Sequence, residues 1–214
     1  MNNLKSNSVM KKYFIIFTVA TAFFASCAKD DSQMERTIFI PDKIDNQLPA
    51  YTEWGYNSFG AKIDRKYFVA SNNIIPSKIL YKDGSLRFSL NGTLNEYSNY
   101  WSNHAEYSLT FDFPLEQLHE YTDLLILDNK KIELASSNCV LTSTQYGATQ
   151  TLNVISGELH FCRAQMLSID EQPNRVILSG VFDFRYLNGT DEFPVSVSDG
   201  RFDFGINKNA FYAY

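Results

Sequence analysis

The run Asn95-Glu96-Tyr97-Ser98-Asn99-Tyr100-Trp101-Ser102-Asn103-His104 holds the residue types best suited to touch a ligand. It lies between two strand-like patterns, so it reads as a loop. Tyr and Trp offer rigid amphipathic contact area, while Ser and Asn offer adaptable hydrogen bonds. Aromatic faces stack on the apolar face of a sugar ring, and Asn or His bonds its hydroxyls. Tyr97, Tyr100, Trp101, Asn103 and His104 are therefore the expected ligand contacts. The alternative is that Tyr97, Tyr100 and Trp101 fold back over a sheet end, since large aromatics are usually well buried. Tyr51, Trp54 and Tyr56 form a second cluster with the same two readings.

Covalent catalysis needs an activated Ser or Cys beside a positioned base. The chain has no Gly-x-Ser-x-Gly elbow, and His104, His119 and His160 are scattered without a His-x-x-x-His pair. No Gly-rich loop is present to cradle phosphate. Glycoside hydrolysis asks only for two carboxylates roughly 5–10 Å apart. With 24 acidic residues, nothing in the sequence selects a pair. Cys139 and Cys162 belong to no Cys-x-x-Cys or Cys/His cluster of metal-ligand spacing. The sequence therefore predicts no catalytic residue, no metal and no cofactor.

The N-terminus specifies a location. Lys5, Lys11 and Lys12 precede an uncharged apolar run, Tyr13–Phe24. A spanning helix needs roughly 20 apolar residues, so this run fits the shorter core of a signal peptide. Ala25-Ser26-Cys27 follows at once and resembles the lipobox of bacterial lipoproteins, with Phe24 where the commonest form has Leu. That resemblance implies cleavage before Cys27, acylation of its sulfur and amine, and stable anchoring, since two or more chains hold a protein at a bilayer. Ala28-Lys29-Asp30-Asp31 resembles the export signal of Bacteroidetes-type surface lipoproteins, which implies the outer face of the outer membrane through Lys29, Asp30 and Asp31. A charged tether on a periplasm-facing lipoprotein is the alternative.

Residues 1–26 hold three of the 19 basic residues and none of the 24 acids, which leaves 16 basic against 24 acidic residues and a formal charge of −8 beyond them. That balance opposes nucleic-acid binding, which needs clustered positive charge. It also opposes docking on anionic lipid, so the anchor must hold the membrane.

The elements that position these residues read as strands. The chain has 17 Phe and 13 Tyr, set among Val, Ile and Thr. Leu86, Phe88 and Leu90 alternate with polar residues, as do Tyr107, Leu109, Phe111 and Phe113. Phe182, Phe184 and Tyr186 repeat the pattern, as do Phe202, Phe204 and Ile206. Asp83-Gly84 predicts a tight hairpin that sets Tyr81 opposite Leu86 and Ile79 opposite Phe88. Asp199-Gly200 predicts another, with Val197 opposite Phe202 and Val195 opposite Phe204. Asn188-Gly189 opens a longer loop ending near Phe193-Pro194. Pro114–Tyr121 carries Leu115 and Leu118 at helical spacing and predicts one short helix. The tripeptide Phe-Asp-Phe occurs at 111–113, 182–184 and 202–204, and its aspartates read as solvated strand faces. The fold class is all-β: an antiparallel two-sheet sandwich or flattened barrel of roughly ten strands with about one short helix. The expected organisation is a signal peptide over 1–26, a lipidated tether over 27–50 and a single β-rich domain over 51–214.

Two segments resemble a Bacteroidetes-type lipoprotein family of uncharacterised function. Asn57-Ser58-Phe59-Gly60-Ala61-Lys62-Ile63-Asp64, with Lys66-Tyr67-Phe68-Val69-Ala70, is similar to that family's opening motif. Ile177-Leu178-Ser179-Gly180-Val181-Phe182-Asp183-Phe184, closed by Asp199-Gly200-Arg201-Phe202-Asp203-Phe204, is similar to its ending. Asp64-Arg65-Lys66 replaces the family's Asn-Gly-Lys turn. The resemblance implies a β-rich lipoprotein and carries no catalytic residue.

An exported domain meets an oxidising compartment, which allows a disulfide. A hairpin turning near Gln150-Thr151 would set Cys139 opposite Cys162. Against that pairing, Cys162 alternates with Glu158 and His160 on a polar strand face. The expected role is a non-catalytic surface lipoprotein that binds a glycan or a protein. A structural or assembly accessory of the envelope is the alternative, and a glycan hydrolase the third reading.

Overall fold

Alternating strands tied by tight turns dominate the chain. The computed structural model describes residues 36–95, 104–116, 118–189 and 193–214. Among these, eleven strands follow in order: β1 (Ser58–Ile63), β2 (Lys66–Val69), β3 (Ser77–Lys82), β4 (Ser85–Asn95), β5 (His104–Pro114), β6 (Lys130–Glu133), β7 (Val140–Gln145), β8 (Ala148–Ile169), β9 (Gln172–Leu187), β10 (Val195–Ile206) and β11 (Phe211–Ala213). They form one continuous sheet in the order β11-β3-β4-β2-β1-β10-β9-β8-β7-β5, with β6 paired to β8. All pairings are antiparallel except β11 on β3. β5, at the far end of that order, also pairs along the whole of β4. The sheet therefore curls round a single core. The expected all-β antiparallel fold is met, and the facing walls of the core belong to one sheet rather than two.

The turns explain the register. Asp83 and Gly84 both take positive φ, and Tyr81 pairs Leu86 while Ile79 pairs Phe88. Tyr146-Gly147 makes the same kind of turn between β7 and β8. Asp199-Gly200 does not turn. Asp199 has φ 55°, yet β10 runs straight through, and its pairing with β9 slips between Val197 and Gly200. The pair forms a bulge, and a Cβ at Gly200 would sit 2.3 Å from the Phe182 carbonyl oxygen. A bulge and a hairpin both leave Val197 and Phe202 on one buried face, so the pattern alone does not separate them.

Aromatic rings fill the interior. Phe88 lies 5.0 Å from Phe202 and 5.7 Å from Phe161, so β4, β8 and β10 meet across the core. Phe111 of β5 meets Phe182 of β9 at 5.5 Å. All six phenylalanines of the three Phe-Asp-Phe segments are buried. Their aspartates differ: Asp112 pairs Arg87 at the surface, Asp183 is exposed, and Asp203 is buried.

The expected helix over Pro114–Tyr121 begins where it was to end. Pro114 closes β5, and a 3-10 helix spans Tyr121–Leu127. Asp123 Oδ2 accepts from the backbone N–H of His119 (2.7 Å) and Glu120 (3.0 Å), which starts the helical turn there. The expected boundary at residue 50 also moves. Arg36–Tyr214 is one compact unit, and Leu48 is fully buried. Residues 36–57 form a strap on the sheet, with Ile38 N–H donating to Tyr56 O at 2.8 Å. Arg201 Nη1 meets Asp42 Oδ2 at 2.9 Å, and Lys62 Nζ meets Asp45 Oδ2 at 2.6 Å. These contacts make residues 36–50 part of the domain rather than tether.

Candidate functional site

One end of the curled sheet is open between its turns. The β1–β2 turn at Asp64, the last residues of β4, the β7–β8 turn at Tyr146 and the end of β9 surround a cleft of about 420 Å³. That volume lies within the range of small-molecule sites, roughly 300–1,000 Å³. Tyr107 of β5 and Tyr186 of β9 form its floor, both 6 % exposed, whereas Tyr146 stands 79 % exposed on the rim. Gln145, Thr149, Gln150 and Asn188 add hydroxyl and amide groups around them.

Local structure dictates this arrangement. Tyr146 takes φ 52° beside Gly147 at φ 77°, so the turn is tight and holds the phenol at the tip. Tyr107 and Tyr186 face inward with the core positions of their strands. Burial raises the Tyr107 hydroxyl above its ordinary value, against a hydrogen bond with Ser143 that lowers it. Burial also raises the Tyr186 hydroxyl, with Tyr107 and Asp64 adding to the effect. Both phenols stay protonated at neutral pH and serve as donor and acceptor together. One Asp64 oxygen accepts from Ser196 N–H at 3.0 Å, which fixes the acid at the rim. Phenol faces, amides and hydroxyls in one concavity can stack on a ring and bond its hydroxyl groups.

The loop singled out in the sequence is rooted here. Leu94 lines the cleft, and β4 ends at the next residue, Asn95, which pairs with His104 at the start of β5. Tyr97, Tyr100, Trp101 and Asn103 lie outside the described residues, as does the side chain of His104. Cys27, Lys29, Asp30 and Asp31 also lie outside them. The second aromatic cluster divides: Trp54 is 71 % exposed, Tyr51 about half so, and Tyr56 half-buried on the sheet.

Cys139 and Cys162 are both free thiols, so the possible disulfide between them is not formed. The physical reason is the turn. β7 and β8 join at Tyr146-Gly147, with Gln145 paired to Ala148 and Leu141 to Leu152. Continued past Val140, that register carries Cys139 opposite Val154, far along β8 from Cys162.

Sequence reasoning missed Tyr107, Tyr146 and Tyr186 as cleft residues. Alternation places Tyr107 and Tyr186 on the buried face but does not say that they end the core. The turn expected near Gln150-Thr151 falls instead at Tyr146-Gly147, where both residues take positive φ, and Gln150 and Thr151 lie within β8.

No family model matches this chain, and neither a curated protein nor a solved structure matches it. The functional reading therefore stands on the residues themselves.

Proposed function

We propose that the chain is a lipid-anchored protein of the bacterial envelope whose sheet domain is a non-catalytic binding module for a small glycan. The cleft carries this reading: three tyrosines with amide and hydroxyl side chains converge in about 420 Å³ at one sheet end. Sugar recognition needs a stacking face with hydrogen-bond donors and acceptors, which this set supplies, and Asp64 and Lys66 line the same cleft. Leu94 of β4, one residue before the Asn95–His104 pair, lines the same cleft. The anchor reading rests on the lipobox-like Ala25-Ser26-Cys27, and the outer-face reading on Lys29, Asp30 and Asp31.

Screening residues 28–214 on an array of polysaccharides tests the proposal. Binding of one glycan class, competed by its free oligosaccharide, is the expected result. Silence across the array removes the sugar reading and leaves the structural accessory in its place.

A further inference from the structure

Three polar side chains away from the cleft form a relay that glycan binding does not use. Cys162 Sγ lies 3.6 Å from His160 Nδ1, and His160 Nε2 lies 3.1 Å from Asn129 Oδ1. The thiol's other acceptor is the His160 carbonyl oxygen, at 3.7 Å.

Local backbone structure builds the relay. Leu159 and Phe161 are fully buried, so His160 between them points away from the core. The pairing of β8 with β9 skips Cys162, since Phe161 faces Gly180 and Arg163 faces Ser179. Such a bulge re-aims a side chain, and here it sets the thiol beside the imidazole. Asn129 precedes β6 with φ 55°, a conformation Asn tolerates better than most residues. Asp128 Oδ1 ties the same turn to β8 by accepting from Ala164 N–H at 2.8 Å.

We propose that Cys162 is a nucleophilic thiol, with His160 as its base and Asn129 as the positioning residue, and that it is a site of thiolation by low-molecular-weight disulfides. Asn129 Oδ1 accepts from Nε2–H, which leaves Nδ1 free to accept the thiol proton. The resulting thiolate attacks one sulfur of R–S–S–R. A new Sγ–S bond forms as the old S–S bond breaks, and the departing R–S⁻ takes the proton back from the imidazolium. The products are a mixed disulfide and one R–SH, so the disulfide is the only co-reactant. Cys162 is half-buried on the outer sheet face, open to a small reagent.

The charged and titratable groups that face this pair come from β6, β9 and the strap. Lys131 of β6 pairs opposite His160, and its ammonium is held by Glu158 at 2.9 Å. From the strap, Tyr51 donates to Glu53 Oε1 at 2.9 Å. Burial raises the Tyr51 hydroxyl above its ordinary value, against a hydrogen bond with Ser179 that lowers it, with Glu53 and a hydrogen bond to the Cys162 thiol adding to the rise. Opposite this stretch β9 offers Val181 and Ser179, which do not titrate there. Arg163 donates to Gln165 Oε1 at 2.9 and 3.1 Å. Cys139 is the internal reference: burial, with Asp112 adding, pushes its thiol up to about 11.

The test treats the full chain with iodoacetamide, and separately with oxidised glutathione, and follows each cysteine by peptide-resolved mass spectrometry. At pH 6.5 Cys162 is expected to alkylate roughly tenfold faster than N-acetylcysteine, as activated thiols do. It is also expected to form the glutathione mixed disulfide while Cys139 stays unmodified. His160→Gln and Asn129→Gly should slow Cys162 toward the free-thiol rate and move its pH–rate midpoint up toward about 8.5. A wild-type Cys162 no faster than N-acetylcysteine overturns the proposal without any variant. So does a His160→Gln chain with unchanged rate and pH profile.

Discussion

Thr52 donates its hydroxyl to Asp203 Oδ2 across 2.6 Å, which ties the N-terminal strap to the middle of β10. The same carboxylate accepts the backbone N–H groups of Gly55 (2.7 Å), Trp54 (3.1 Å) and Tyr56 (3.2 Å). Asp203 is 2 % exposed, so these bonds replace its water. Asp203→Asn keeps the shape but turns an amide donor toward several N–H donors. It should cost about 2–3 kcal/mol, measured by urea denaturation, and should open residues 36–56 to protease before the sheet.

Phe88 is the hub of the aromatic core. Its ring meets Phe111, Phe161, Phe202 and Phe204 between 5.0 and 6.1 Å. Phe88→Ala should lower stability by about 3–5 kcal/mol, because the surrounding strands cannot collapse fully into the space. Phe88→Leu should cost clearly less in the same denaturation experiment.

Carboxylates held below their ordinary value give the fold an acid limit. The N–H groups of Ile44 and Asp45 lower Asp42, and Arg201 adds to them. Lys62 lowers Asp45, and the N–H groups of His119 and Glu120 lower Asp123. A carboxyl depressed in the folded chain contributes its full stability above the unfolded value of 3.8, and loses it as pH falls through the folded value. The urea midpoint should therefore hold steady from pH 7 to about 5 and decline below about 4. The Asp42→Asn, Asp45→Asn, Asp123→Asn triple variant should show a shallower acid decline.

Much of the sheet is legible in the letters, and the misses share a cause. Asp83-Gly84 correctly sets Tyr81 against Leu86, because turn chemistry and buried face agree there. Asp199-Gly200 offers the same dipeptide but sits inside a strand, where Gly200 packs on Phe182. Only the tertiary neighbour separates the two cases. The strap is illegible for the same reason: Leu48 looks like an isolated apolar residue until the sheet covers it. Asp203 looks like its twins Asp112 and Asp183, and only the strap makes it buried. At the cleft, the letters mark the segment after Asn95 but not Tyr107 or Tyr186, because strand periodicity reports a face and not a depth.

The proposed anchor has its own test. Cys27→Ala should abolish acylation and release the protein from the membrane fraction, while the urea midpoint of the folded domain stays unchanged. Protease shaving of intact cells carrying the unaltered chain should remove the domain if Lys29, Asp30 and Asp31 direct it to the outer face.

Glycan binding at the cleft is the central claim, and calorimetry on cleft variants tests it most directly. Tyr146→Asn preserves the left-handed turn position while removing the exposed phenol, and Gln150→Ala removes an amide from the rim. With the glycan found on the array, each should weaken binding about tenfold or more, the loss expected for one stacking or hydrogen-bonding group, at unchanged stability. Undiminished affinity in the double variant would contradict the account.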